Sequence, residues 1–138
     1  MSSRQERDSS DVKQYMPANT MHISQDGRDL YVFEKDTEVG IHFTIAVYYD
    51  PNERGYCAHL VSPAIEESWM NAHVGHIFAD GVICFGGEQM RTRRTLREAY
   101  AKSCLWAEGM AIMVASHLAG TPHEFPFSSN NSPGEASC

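Results

Sequence analysis

Cys84 is the residue of this 138-residue chain best placed to do covalent chemistry. It closes the run His73-Val74-Gly75-His76-Ile77-Phe78-Ala79-Asp80-Gly81-Val82-Ile83-Cys84, followed by Phe85-Gly86-Gly87. A thiolate attacks carbonyl carbon, thioesters included, once its pKa is modestly depressed. Gly86 and Gly87 allow a second backbone to come close. Asp80-Gly81 is a strong turn dipeptide, because both residues tolerate positive φ. His76, Asp80 and His73 stand upstream as donors to an oxyanion, orienters of an incoming amine or supports of the loop.

Other readings of the same residues remain open at this point. Val82-Ile83-Cys84-Phe85 can be an edge strand in which Cys84 is a small apolar filler, since free cysteines are commonly buried. His73, His76 and Cys84, completed by His59 or water, are ligand types that zinc accepts. Against zinc, a His-x-x-His pair outside a helix does not share a ligand face, and the chain has no second compact pair. A protease-like Cys/His/acid triad would need a family signature that is not present.

The remaining cysteines are Cys57, Cys104 and Cys138. None forms a C-x-x-C pair, and the four do not read as a disulfide framework, so a reduced, cytoplasmic setting is expected. Cys57 reads as strand core, Cys104 as half-buried helix filler and Cys138 as a solvated end. The formal net charge of −7 and a pI near 5.4 argue against nucleic acid or anionic lipid as partner. No apolar run of ~18 residues suggests a membrane span, and residues 1–8 lack the apolar core of a secretory signal. A basic cluster, Arg91, Arg93, Arg94, Arg97 and Lys102, reads first as an exposed helix face balancing an acidic sheet and second as a site for phosphate or an acidic partner.

The elements that must hold the cysteine are strands first and a helix last. Met21–Ser24 precedes a turn at Gln25-Asp26-Gly27, and Leu30–Phe33 is a short strand. Ile41–Tyr49 is dense in β-branched and aromatic residues. Asp50–Gly55 is a loop, and Tyr56–Val61 is a strand stopped by Ser62-Pro63. Sequential strands with short turns predict an antiparallel meander. Ile65–Ala72 is an irregular or helical connector. From about Thr92 to Leu118, Leu96, Tyr100, Ser103, Trp106, Ala107, Met110, Met113, Val114 and Leu118 recur at helical spacing. Thr92 or Thr95 can cap this helix, and Gly120 with Pro122 stops it. The expected fold is α+β, a two-layer domain of antiparallel β-meander against a long C-terminal helix. It occupies residues 20–119, between a loose or short helical arm at 1–19 and a flexible tail at 120–138. Trp106 reads as core, whereas Trp69 reads equally as a cover over the cysteine loop or as packing beneath it. His42 and His59 read as satisfied surface or edge residues.

The run His73–Phe85 resembles the active-site stretch of ubiquitin-conjugating enzymes, where a His-Pro-Asn turn leads through a glycine to Ile-Cys-Leu. The order of strands, the Tyr49-Asp50-Pro51 turn, the Ser62-Pro63 stop and the following helix are similar too. The likeness is greatest to bacterial members of antiphage operons, of CBASS or Bil type, and spans roughly residues 20–118. His76 aligns with the family's asparagine, the proline is missing, and the usual N-terminal helix is expected to be short or absent. The resemblance implies a UBC-like fold and a thioester carried on Cys84. An ATP-dependent activating enzyme would supply a ubiquitin-like modifier, or another protein with a C-terminal glycine tail, which then passes to an amine on a target protein. It implies Asp80 first and Glu88 second as the group assisting the amine, and His76 as loop organiser or oxyanion donor. It further implies His73 and Gly81 as loop supports, Gly86 and Gly87 as the floor of the tail groove, and no cofactor or metal. A noncatalytic binding module of the same fold, holding a modifier or activating enzyme, is the alternative.

Overall fold

The computed structural model describes residues 2–86 and 90–126. The expectations placed on Gly87, Glu88 and residues 127–138 lie outside the described residues. The elements run α1 (Ser3–Tyr15), β1 (Met21–Gln25), β2 (Arg28–Asp36), β3 (His42–Asp50), β4 (Gly55–Ser62), a 3-10 turn at Glu67–Trp69, and α2 (Leu96–Leu118). The four strands form one antiparallel sheet in the order β1-β2-β3-β4, the meander that the sequence predicts.

Strand alternation divides the side chains of β3 between two faces. Phe43, Ile45 and Val47 are fully buried and join Tyr31, Phe33, Tyr56 and Ala58 in the main core. α2 supplies the other half of that core, through Leu96, Ala99, Tyr100, Trp106, Ala107 and Met110 among others. On the opposite face Tyr48, Cys57 and Val82 form a smaller apolar cluster, backed by Leu30 and Phe78.

α2 starts at Leu96 because the Thr95 hydroxyl accepts the Glu98 N–H at 3.2 Å, so Thr95 rather than Thr92 is the cap. It ends where Gly120 takes φ +77°. The Gly120 N–H donates to the His117 carbonyl and the Thr121 N–H to the Ser116 carbonyl, the paired bonds of a glycine-terminated helix.

The N-terminal arm is longer and more firmly held than the sequence suggests. α1 covers 13 residues and opens with a reciprocal cap between Ser2 and Gln5. Asp8 is 2% exposed, and its carboxylate accepts the Tyr56 hydroxyl at 2.5 Å, fixing the helix to β4. The Asp11 carboxylate accepts the Arg97 N–H at 3.4 Å near the start of α2. The docking of α1 rests on the buried Asp8–Tyr56 pair together with Val12 and Met16 against the main core, and a run this poor in apolar residues carries little periodic signal for it. No helix among the described residues is long and apolar enough to cross a membrane.

Candidate functional site

The cysteine segment is a small hairpin laid along the free edge of β4. Its first leg enters at Ile77 and its second runs Val82–Ile83, with Ile77 and Ile83 bridged. The Phe78 N–H donates to the Val82 carbonyl at 2.8 Å, and the Gly81 N–H returns to Phe78 at 2.9 Å. The second leg pairs with β4: Ile83 N–H donates to Ala58, Leu60 N–H to Gly81, and His59 bridges Val82. Below it, Tyr56 and Arg93 exchange both backbone bonds, at 2.8 and 2.9 Å. The edge of β4 is therefore covered by the site itself.

At the base of the hairpin the Cys84 N–H donates to the His76 carbonyl at 2.9 Å. His76 and Cys84 are thus brought together through their backbones. Cys84 is free and 6% exposed, and its thiol donates to the Gly86 carbonyl with Sγ···O of 3.3 Å. Cys57, the other free thiol, is 1% exposed in the second cluster, where burial pushes its pKa up to about 11. Cys104 is fully buried in α2 and is disulfide-bonded, which departs both from the expectation of a half-buried filler and from that of reduced cysteines.

His76 adopts φ +55°, a left-handed conformation that histidine tolerates better than most residues. Its half-buried ring has an Nδ1 without a hydrogen-bond partner and stacks on Phe125, with centroids 4.3 Å apart and planes at 22°. Burial, with the neighbouring His73 second, holds its pKa below the ordinary 6.5, so the ring is uncharged at neutral pH.

The turn that delivers His76 is fixed from three sides. The Asn71 side-chain carbonyl accepts the His73 and Val74 N–H groups at 2.9 and 2.8 Å. The Trp106 indole donates to the Gly75 carbonyl at 2.8 Å. Gly75 itself lies so close to the 3-10 turn that an added Cβ would sit 2.3 Å from the Trp69 carbonyl oxygen. Trp106 is core, as expected, but it also positions the histidine turn. Trp69 is 8% exposed and packs beneath it.

Asp80 lies in the turn of the hairpin, four residues along the chain from His76 on one side and from Cys84 on the other. Its carboxylate accepts the Val82 N–H at 3.2 Å and is paired with the Arg91 guanidinium. Burial pushes its pKa up, but Arg91 and the Val82 N–H outweigh that and hold it below the usual carboxylate value. Gly81, beside it, takes φ +91° and leaves room for His59, whose Nε2 would lie 2.9 Å from an added Cβ. Asp80 and Gly81 therefore hold the turn.

The basic cluster is divided between α2, which carries an exposed Arg97 and a buried Lys102, and the segment before it. Arg91 and Arg93 precede α2 and are tied to the cysteine segment. Arg91 lies over the Phe78 ring at 4.7 Å while pairing with Asp80. Arg93 donates to the Phe85 carbonyl at 2.5 Å and lies 5.8 Å from the Phe85 ring centre. Their spacing next to the cysteine segment is the available signal, whereas charge counting alone assigns them to solvent. His42 bonds Asp36 and Glu34 at the surface. Among the described residues no three His, Cys, Asp or Glu side chains stand close enough to hold a metal ion.

No family model matches the chain, and no curated protein or solved structure matches it either.

Proposed function

We propose that this chain is a ubiquitin-conjugating-like transferase that carries a modifier as a thioester on Cys84. The observation that carries the reading is the pairing of Cys84 N–H with the His76 carbonyl at the base of the edge hairpin. It sets a free thiol beside the one histidine that aligns with the family's supporting asparagine. The sheet order, the hairpin on the edge of β4 and the long α2 agree with that alignment. The 13-residue α1 supplies an N-terminal helix where the sequence leads one to expect a short or absent one.

In this reading the Cys84 sulfur attacks the C-terminal glycine carbonyl of a ubiquitin-like modifier, and the thiol of an ATP-dependent activating enzyme leaves. The nitrogen of a target amine then attacks the same carbon, the C–N bond forms, and the C–S bond breaks. The amine is mostly protonated at neutral pH and reacts only in its deprotonated form. An uncharged His76 beside Cys84 organises the loop and is the side-chain candidate for supporting the tetrahedral oxyanion. Asp80, which holds the turn and pairs with Arg91, is in this reading the first carboxylate to assist the amine. The proposed setting, a cytoplasmic antiphage conjugation system of CBASS or Bil type, follows from the resemblance alone.

A noncatalytic modifier-binding module is the second reading, and the 6% exposure of Cys84 favours it, because the sulfur must turn out from Gly86 to react. One assay separates the two. With ATP, modifier and an activating enzyme verified by its own thioester, the transferase gives a reductant-sensitive Cys84 adduct. The module gives modifier binding and no adduct.

A further inference from the structure

Past Gly120 the chain does not leave the molecule but turns back over the His73–His76 turn. The Thr121 N–H donates to the Ser116 carbonyl at 3.0 Å, and the His123 N–H donates to the Ser116 hydroxyl at 2.9 Å. Phe125 then lays its ring on His76 and packs against the main core. This segment forms one wall of an open pocket of about 470 Å³. The Trp69 side wall, with the His117 ring against it at 4.8 Å, faces the His76–Phe125 stack.

We propose that Gly120–Pro126 is a strap held closed over the histidine turn by the Phe125–His76 stack, and that protonation of His76 releases it. An imidazolium gains some attraction from the phenyl face. Against that gain, its half-buried ring has an Nδ1 with no acceptor, so the added charge would be poorly solvated. The titratable groups facing it are His73 from its own turn, His117 from α2, and His123 and Glu124 from the strap. Three of these are histidines that add like charge as pH falls. Among the described residues Glu124 is the one carboxylate lining this pocket, and it is exposed rather than bonded to His76 Nδ1.

The linkage sign follows from the closed state binding the His76 proton less well than the open one. Closure is fully favoured above the free-histidine value of about 6.5 and is lost as pH falls below it. Opening would uncover the turn that supports Cys84, so partner access to that turn becomes pH-dependent. This inference does not rest on thioester chemistry.

Backbone hydrogen exchange of the full chain, corrected for intrinsic rates, tests it at pH 7.5 and 5.5. The Thr121 and His123 amides are expected to be protected at pH 7.5 and to exchange at least about tenfold faster at pH 5.5, with β3 unchanged. Phe125→Ala should lose strap protection at both pH values, and His76→Phe should keep it at pH 5.5. Equal wild-type protection at the two pH values would overturn the proposal. So would a strap that stays protected in Phe125→Ala, or a folded His76→Phe that still opens in acid. If His76→Phe does not fold, the wild-type and Phe125→Ala comparisons decide.

Discussion

Burial pushes the Cys57 thiol up to about 11, so at neutral pH about one molecule in 10⁴ carries that thiolate. Cys57 also has its backbone locked in β4 between β3 and the cysteine hairpin. Cys84 sits where regular pairing ends, next to Gly86. Alkylation of the folded protein at pH 7.5, read by peptide mass spectrometry, should therefore modify Cys84 at least about tenfold faster than Cys57. Equal rates would mean that the hairpin shields Cys84 as completely as the sheet shields Cys57. Gly75 carries a second prediction at this scale. A methyl there would meet the Trp69 carbonyl at 2.3 Å, and overpacking of this kind costs about 1–3 kcal/mol. Gly75→Ala should lower the urea midpoint accordingly, whereas a midpoint unchanged from wild type would show that the turn can move away. The importance of Cys84 is legible from its neighbours in sequence. That of Gly75 is not, because the atom that forbids a side chain belongs to Trp69 and comes close only in the fold.

The elements differ in how openly the sequence declares them. β3 is read from its density of β-branched and aromatic residues and α2 from the helical spacing of its apolar ones. α1 is held by Val12 and Met16 on the core and by the Asp8–Tyr56 hydrogen bond, a pair 48 residues apart that no local pattern reveals. The Arg91–Asp80 pair is equally silent in sequence, and it ties the hairpin turn to the segment that precedes α2. Tyr56→Phe should take from the buried Asp8 carboxylate its short hydroxyl donor, leaving Arg4 at 3.4 Å, and destabilise the fold by about 1–3 kcal/mol in urea unfolding. A pH dependence accompanies it. Burial first and the Asp8 bond second push the Tyr56 pKa up to about 12. Since unfolded tyrosine titrates near 10, this contribution is complete below about pH 10 and is lost as pH rises through about 12. Wild type should therefore lose more stability than Tyr56→Phe across that window; parallel pH profiles would remove Tyr56 from the account.

Across the whole molecule, one apolar layer between sheet and α2 provides the platform, and the reactive segment is an addition to its edge. Core residues Trp106 and Trp69 reach out of that layer to fix the histidine turn, so the packing of the fold and the geometry of the site are set together. The most direct test of the central claim is the acceptance of a modifier on Cys84. Wild-type protein, ATP, a ubiquitin-like modifier and an activating enzyme shown to carry its own thioester are combined and resolved without reductant. The account predicts a band at the summed mass that disappears with thiol reductant and is absent from Cys84→Ala. It also predicts a reductant-stable adduct in Cys84→Lys. No adduct on wild type, or one that persists in Cys84→Ala, would contradict it.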